Sequence, residues 1–174
     1  MRIDSMDATQ LGDLREPLHE LYRQCFADPP WNEPQEMLDD YANVLAAHLD
    51  RPGLSGSVAV DDSGLLGVAY GWPMPPELPD DAFHHAVARV VPAERLVAPA
   101  VAVVELMVNP VSRGRGVGRA LLDHFVRARA AWLVTHPDAP ACRLYKSAGW
   151  QPSAQFKNQH GDRRVAYVLR SDGT

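Results

Sequence analysis

An apolar segment, a glycine-rich turn and an amphipathic helix follow one another in the middle of the chain. Residues 101–108 are apolar except for Glu105 and do not alternate with polar residues, which predicts a central strand buried on both faces. Pro110 ends this strand, and the turn after it reads Arg113-Gly114-Arg115-Gly116-Val117-Gly118-Arg119-Ala120. A strand buried on both faces needs neighbouring strands and covering helices, so we expect a mixed α/β fold.

The segments on either side are predicted from the period of their apolar residues and from their prolines and glycines. Helical spacing predicts helices at about 10–27, 32–50, 80–91 and 139–148, and segments with strand character are 56–60, 65–72, 132–135, 150–156 and 163–169. The helix after the turn is predicted to end at about Ala131, with Ala128 on its buried stripe. Residues 73–98 form an irregular insertion that begins with several prolines.

The composition excludes several classes of protein. The chain has 174 residues, 46% hydrophobic and 22% charged, as expected of one globular domain over 1–174 and not of a disordered or membrane-spanning protein. A formal net charge of −5 argues against binding nucleic acid, which requires Lys and Arg to neutralise phosphates. Cys25 and Cys142 form no C-x-x-C motif, and the N-terminus has no signal-peptide run, so we expect a cytoplasmic protein with no membrane contact.

The charge is unevenly divided along the chain. Residues 1–100 hold 6 basic and 17 acidic residues, net −11, whereas residues 101–174 hold 11 basic and 5 acidic residues, net +6. Arg113, Arg115 and Arg119 lie in a stretch that contains no acid. Glycines bring backbone N–H groups up to a ligand, and the helix that follows adds unpaired N–H donors and the positive end of its dipole. The turn is therefore predicted to bind phosphate or pyrophosphate.

Two common phosphate-binding motifs do not fit the turn. A P-loop needs Lys and then Ser or Thr after its last glycine, where this chain has Arg119 and Ala120. The dinucleotide-binding fingerprint G-x-G-x-x-G also fails, because Gly114, Gly116 and Gly118 read G-x-G-x-G. The pattern that fits is R-x-x-G-x-G.

On this motif the chain resembles the GCN5-related N-acetyltransferase (GNAT) superfamily, in which the turn cradles the pyrophosphate of acetyl-coenzyme A. A second stretch, residues 141–150 (ACRLYKSAGW), is similar to the family pattern A-x-x-L-Y-x-x-x-G-[FW]. The order of elements, one strand, two helices, three strands, helix, strand, helix and two strands, resembles the family fold over essentially the whole chain. One departure is Asp138, where the family often has an Asn that contacts the pantetheine arm.

The resemblance implies a fold and an activity. The fold is a central, mostly antiparallel sheet flanked by helices and splayed at the cofactor site. The activity is direct transfer of an acetyl group from acetyl-CoA to a primary amine of a small molecule, peptide or protein. The backbone of Leu106, Met107 and Val108 is expected to meet the cofactor together with residues 113–120. Tyr145 matches the family's general acid, which protonates the departing thiolate. Many members are homodimers, and nothing in this sequence decides that point.

Glu105 is the one charge in an otherwise apolar strand, and a buried carboxylate is costly unless it is paired. One interpretation is a general base, acting directly or through water, or an anchor for a cationic substrate. The other is an ion pair with an Arg on a neighbouring strand or helix. The sequence leaves both open.

Four further residues occupy positions where the family contacts its acceptor: Trp31, Glu33, Tyr70 and Trp72. For Trp31 the alternative is that its ring only pins the loop. The insertion at 73–98 is expected near the acceptor entrance. His84 and His85 within it point to different sides of a helix, so no shared metal ion is predicted.

Two other functions stay open at this point. A non-catalytic acyl-CoA-binding regulatory protein would keep the glycine turn and lose the chemistry. A plain α/β interaction module would use the turn only as structure. The presence of Tyr145 argues against a non-catalytic acyl-CoA-binding protein. The three arginines in one turn argue against a plain interaction module.

Overall fold

Prolines and glycines set many of the element boundaries in the computed structural model, which describes residues 1–171. Pro34 stands directly before the helix that begins at Gln35, and Gly149 follows the helix that ends at Ser147, in the left-handed region at φ +86°. The helices are α1 Ala8–Asp13, α2 Arg15–Phe26, α3 Gln35–Leu49, α4 Ala82–Ala88, α5 Val117–Val126 and α6 Ala141–Ser147. The strands are β1 Arg2–Asp7, β2 Ser55–Asp61, β3 Gly64–Pro73, β4 Val101–Val108, β5 Ala131–Thr135, β6 Gln151–Pro152, β7 Phe156–Lys157 and β8 Arg163–Leu169.

The first of two compact units comprises residues 1–72 and 105–125. Strands β1, β2 and β3 form an antiparallel meander in which Ile3 pairs with Ala59 and Val58 with Val68. The second half of β4 follows β3 in the strand order. Buried side chains of its helices and strands form the core of this unit: Leu11, Leu18, Leu21, Tyr41, Leu45, Val58, Val68, Met107, Leu121 and Leu122.

The second unit comprises residues 73–104 and the described residues from 126 onward. The first half of β4 pairs in parallel with β5 at Val101–Ala131 and Ala102–Trp132, and β5 pairs antiparallel with β8. The short strands β6 and β7 also pair antiparallel with β8. The indole N–H of Trp132 donates to the carbonyl of Leu96 over 3.2 Å, which ties the insertion to this sheet.

The predicted fold class is confirmed: α and β elements mix, and the sheet is mostly antiparallel with helices flanking it. Strand β4 has the predicted bounds, and β8 does as well. The hairpin of β2 and β3 agrees with prediction to within a residue at each end. Long apolar segments with polar turns between them were therefore sufficient to locate the main strands.

Four predicted elements differ clearly from those observed. The single helix expected at 10–27 is two helices, because Asp7 and Gln10 cap a separate first helix and Leu14 leaves helical geometry at ψ +14°. Helix α5 ends at Val126, so Ala128 lies outside it; Arg127 and Ala128 adopt left-handed backbone angles that no helix can continue through.

The strand expected at 150–156 consists of the two short strands β6 and β7. Residues 153–155 between them are not in a strand, although the Ser153 N–H still donates to the carbonyl of Ala166. The helix expected at about 80–91 is the shorter α4, capped at its start by the side chain of Asp81.

Candidate active site

The approach of β3 to β4 depends on Gly67. A Cβ added there would lie 2.6 Å from the carbonyl oxygen of Met107, a distance no side chain tolerates. Beside it the Asn109 N–H donates to the carbonyl of Leu66 over 2.8 Å. Strands β3 and β4 are neighbours in the sheet, and the charge of Glu105 raises the pKa of Tyr70, so these two side chains lie near each other.

Glu105 is partly accessible to solvent yet densely enclosed by protein. Burial raises the pKa of its carboxyl from the usual 4.5 to about 8, and the negative charge of Glu33 adds to the effect. Within residues 1–171 its carboxylate has neither an ion pair nor a hydrogen bond. The ion pair with an Arg, one of the two interpretations of this residue, is therefore not present.

Three tyrosines surround the two carboxylates. The Tyr22 hydroxyl donates to Glu33 Oε2 over 2.7 Å, and the Tyr22 ring stacks on that of Tyr41 with centroids 4.0 Å apart. The hydroxyls of Tyr41 and Tyr70 are 3.0 Å apart. Burial first, and the charge of Glu105 second, raise the pKa of all three phenols. We call Tyr22, Glu33, Tyr41, Tyr70 and Glu105 the tyrosine cage.

The cage brings together two of the four residues expected at the acceptor, Glu33 and Tyr70. The other two lie elsewhere in the same unit. Trp31 packs edge-on against Phe26, with ring centroids 5.1 Å apart, and Trp72 packs against His48.

Sequence reasoning missed Tyr22, Tyr41 and His48 as site residues. Tyr22 and Tyr41 fall at helical spacing within the predicted helices 10–27 and 32–50, which predicts only that they lie on the apolar faces of these helices. The available signal was their hydroxyl, because a buried tyrosine usually needs a hydrogen-bond partner. Tyr41 is completely buried, and its hydroxyl finds that partner on β3, a strand 29 residues away in sequence.

In the glycine turn, residues 113–118, residues 113–116 are exposed, whereas Val117 and Gly118, at the start of α5, are buried. Gly114 and Gly116 have φ of +71° and +79°, and a Cβ added at either would meet no atom within 4 Å. Positive φ favours glycine, so the backbone remains uncovered where helix α5 begins. The Ala120 N–H donates to the carbonyl of Gly116, which is the first hydrogen bond of helix α5. The N–H groups of residues 117–119 come before it, have no carbonyl acceptor in the helix, and are available to a ligand.

The three arginines of this region are exposed, and they differ in their contacts. Arg113 Nε donates to the carbonyl of Val108 over 3.3 Å, and Arg119 Nε pairs with Asp123 over 2.7 Å. In the described part of the chain, the Arg115 side chain makes no hydrogen bond or ion pair. Arg115 is therefore the arginine with its charge least committed to the protein.

Tyr145 lies in the second unit. It is 4% exposed, on helix α6, and its ring is 5.1 Å from that of Tyr167 and 6.1 Å from that of Trp150. Near the start of the same helix, the Cys142 thiol points to the carbonyl of His136 at 3.4 Å. Asp138, at the position where the family often has Asn, is exposed and pairs with Arg163 over 3.4 Å.

The histidines of the insertion have separate partners. His84 is buried and bonds to Asp81 over 2.8 Å, whereas the exposed His85 bonds to Asp80 over 2.8 Å. Across residues 1–171 no group of three or more potential metal ligands comes together. No helix in that same range is long and apolar enough to cross a membrane.

Comparison with known proteins identifies the family. The sequence profile of the acetyltransferase (GNAT) family matches residues 15–150, which is most of the chain. This protein belongs to the GNAT acetyltransferase family. Among curated proteins, none matches this sequence significantly.

Solved structures agree with that assignment at the level of the fold. Aminoglycoside 6'-acetyltransferase type Ii is 16% identical with a TM-score of 0.67, covering 100% of this chain and 99% of its own. A Corynebacterium glutamicum protein described as histone acetyltransferase HPA2 and related acetyltransferase is 20% identical, with a TM-score of 0.67 and coverage of 100% and 99%. A Salmonella typhimurium protein described as an acetyltransferase, in complex with its cofactor acetyl-CoA, is 18% identical, with a TM-score of 0.65 and coverage of 100% and 95%.

Proposed function

We propose that this protein is an N-acetyltransferase that transfers the acetyl group of acetyl-CoA to a primary amine of a small molecule or peptide. The observation that carries the proposal is Glu105: a partly accessible carboxylate with a raised pKa, three tyrosines nearby, and no cation paired with it among residues 1–171. A second carboxylate, Glu33, lies in the same cage. An ammonium group would supply the positive charge and the hydrogen-bond donors that Glu105 does not receive from the described residues.

The glycine turn fits the diphosphate of a coenzyme A thioester. Its open backbone at Gly114 and Gly116, the start of α5 and the exposed arginines provide donors and positive charge at one place. Residues 113–120 would hold the diphosphate, and the backbone of Leu106, Met107 and Val108 would run along the thioester arm. Of these, the Val108 carbonyl already accepts from Arg113 and from the Cys25 thiol, so the remaining backbone groups are the candidates. Bound acetyl-CoA supplies an acyl carbon that a neutral amine can attack.

The attacking amine has to lose a proton first, and Glu105 is the group proposed to take it. With a pKa of about 8, its carboxylate binds protons far more readily than an ordinary glutamate at pH 7 to 9. The nearby charge of Glu33 holds the incoming ammonium against the cage while the proton moves. Acetylation then leaves a neutral amide, which the carboxylates attract less strongly than the ammonium.

We assign the protonation of the departing thiolate to Tyr145, on its match to the family motif. A phenol with an ordinary pKa near 10 and a thiol near 8.5 exchange a proton readily when water is excluded. Tyr145 is buried in the second unit beside Tyr167, which makes Tyr167 a suitable control. We also propose that residues 1–174 act as one acetyltransferase domain, because the family profile runs through both units.

The test combines binding and turnover. Isothermal titration should show that the protein binds acetyl-CoA, and a panel of primary amines should release coenzyme A, detected with a thiol reagent. Tyr145→Phe should lower kcat at least tenfold and leave the affinity for acetyl-CoA within about twofold, whereas Tyr167→Phe should keep most of the activity. Folded protein that binds no acetyl-CoA contradicts the proposal, and so does tight binding without transfer to any amine.

A further inference from the structure

Arg51 brings a positive charge to the unit that contains the tyrosine cage. It comes two residues after the end of helix α3, and its guanidinium carbon lies 4.5 Å from the centre of the Trp72 ring. Arg51 is exposed, and within residues 1–171 its side chain forms no ion pair and no hydrogen bond. The guanidinium therefore rests on an aromatic ring, and its N–H donors are available to a ligand.

His48 lies between this arginine and the cage. Its Nδ1 is 2.9 Å from the Tyr70 hydroxyl, and its ring centroid is 5.7 Å from that of Tyr70 and 5.5 Å from that of Trp72. Burial, together with the positive charge of Arg51, lowers the pKa of His48 to about 4, so its ring is neutral at physiological pH. His48 thus connects Arg51 and Trp72 to the cage without adding a charge of its own.

The positive charge of Arg51 and the negative charge of Glu105 are kept apart. Burial and the charge of Glu33 raise the pKa of Glu105, whereas a guanidinium close by would lower it. Tyr70, which lies near Glu105, and Trp72, which lies under Arg51, are two residues apart on β3 and contact the same face of His48's helix. Residues so placed on a strand are about 7 Å apart at their Cα atoms. The unit therefore has a negative end and a positive end on one side of β3.

The Trp72 indole N–H lies at the positive end and lacks a partner. Among the described residues it is the only enclosed side-chain nitrogen or oxygen with no hydrogen bond. The buried indole of Trp132, by contrast, donates to the carbonyl of Leu96. An enclosed donor without an acceptor is destabilising and calls for an explanation. An oxygen atom of a bound ligand would remove that cost.

Building on the proposed function, we infer that the amine acceptor carries a carboxylate, which the guanidinium of Arg51 and the indole N–H of Trp72 bind while Glu105 and Glu33 receive the ammonium. One positive charge and several N–H donors match a carboxylate, which has one negative charge and accepts several hydrogen bonds. Arg51 leaves the ring face to meet the carboxylate, as its long and exposed side chain allows. Neutral His48 lies beside the chain that joins the two ends of the ligand.

The separation of the two ends restricts the acceptor further. In an α-amino acid one carbon separates the ammonium from the carboxylate, which is too short to reach from the cage to Arg51. An ω-amino acid with several methylene groups spans about the distance between neighbouring residues on one face of a strand. The substrate class inferred is therefore a small ω-amino acid, or a larger molecule that presents an amine and a carboxylate at that spacing.

The first experiment compares two acceptors that differ only in charge, ε-aminocaproate and its amide, ε-aminocaproamide. Release of coenzyme A from acetyl-CoA gives kcat/KM for each. We expect the carboxylate to be preferred about tenfold or more, which is the scale of one charge-assisted hydrogen-bonded pair. Glycine, whose amine and carboxylate are too close together, should be a poor acceptor.

Variants assign the preference to its residues. Arg51→Gln should raise KM for ε-aminocaproate about tenfold and leave the amide within about twofold, since it removes binding and not chemistry. Arg51→Lys keeps the charge and should retain part of the preference. Trp72→Phe keeps the ring, loses the N–H, and should cost about threefold. Arg89→Gln, at an exposed arginine of the second unit, is the matched control and should not alter the preference.

A second measurement needs no turnover. In protein with ¹⁵N-labelled tryptophan, the indole N–H signal of Trp72 is assigned by its loss in Trp72→Phe. Addition of ε-aminocaproate in the presence of coenzyme A should move that signal, because the N–H gains an acceptor, and the amide should move it only at about tenfold higher concentration. In Arg51→Gln the two ligands should become equivalent.

The inference is overturned if the unmodified protein acetylates the amide as well as the carboxylate, or if Arg51→Gln, folded by its amide spectrum, keeps the full preference. It is also overturned if ε-aminocaproate leaves the Trp72 signal in place. A protein that acetylates no amine ends the proposed function, whereas the NMR titration still decides whether Arg51 and Trp72 bind a carboxylate. Acetylation of amines without regard to charge ends this inference and leaves the proposed function intact.

Discussion

The glycine turn and the tyrosine cage belong to the same unit and handle charge in opposite ways. The turn carries arginines that stay in water, on an open backbone with no side chain over it. The cage encloses Glu105 beside three phenols and, among the described residues, without a cation that pairs with it. An exposed cluster of like charges costs little because water screens it, whereas an enclosed lone carboxylate is destabilising. The exposed glycine turn therefore suits the binding of a highly charged anion, whereas the enclosed carboxylate of the cage suits the transfer of a single proton.

The largest expected effect lies in the cage. Glu105→Gln should lower kcat/KM about 100- to 1,000-fold, within the range typical of a general base, because the amide cannot take the proton of the amine. The affinity for acetyl-CoA, measured by isothermal titration, should not change. Glu94→Gln, at an exposed glutamate of the second unit, is the matched control and should behave like the unmodified protein. If Glu105→Gln keeps more than a third of the activity, Glu105 is not the group that accepts the proton of the amine.

The pH dependence follows from the same carboxyl. Since its pKa is about 8, kcat/KM should rise with pH and level off above that value. The pKa of the Glu105 carboxyl is about 8 in the folded protein and 4.5 in the unfolded chain, so the folded state is favoured while this carboxyl is protonated. This contribution to the free energy of unfolding is fully present below pH 4.5 and is lost as the pH rises through about 8. The Tm of the unmodified protein should therefore fall relative to that of Glu105→Gln between pH 6 and pH 9. Equal Tm differences at the two pH values would contradict the raised pKa.

A smaller effect is expected at the turn. Gly116→Val forces a β-branched residue into a positive φ and puts a side chain where the diphosphate would lie. The Kd for acetyl-CoA should rise about 10- to 100-fold. Gly161→Val, at an exposed glycine of the second unit with φ +81° and equally open space, has a comparable strain outside the turn. It should lower the Tm in a similar way and leave the Kd unchanged; a similar loss of affinity in both variants would rule out the turn as the binding place.

The smallest effect distinguishes the arginines from one another. Arg115→Gln should weaken acetyl-CoA binding about 3- to 10-fold, and the loss should shrink as salt screens the charge. Arg119→Gln should cost less, because the charge of Arg119 is already balanced by Asp123 at 2.7 Å. Titrations at low and high ionic strength compare the two. A larger loss of affinity for acetyl-CoA in Arg119→Gln than in Arg115→Gln would contradict this prediction.

Local signals predicted several elements correctly because neighbouring residues alone decide them. Strand β4 could be bounded from its apolar run and the proline after it, and the end of α6 from Gly149. The end of α5 could not be predicted, because Arg127 and Ala128 are ordinary helix formers that adopt left-handed angles only where the chain turns into β5. The break at Leu14 was missed for a related reason: leucine has no local signal for leaving a helix.

The sequence by itself pointed to the family through two motifs, in residues 113–118 and 141–150, and it located the strand–turn–helix unit with its arginines. Each of these patterns is formed by residues that are close together along the chain. It also singled out Glu105 as a charge that needed an explanation. Only the tertiary structure decided what surrounds that charge. Residues 22, 33, 41, 70 and 105 come from five separate segments, and the pairing of β3 with β4 at Gly67 brings the last two together. The phenols bond to side chains that are distant in sequence, and such partners become neighbours only when the chain has folded.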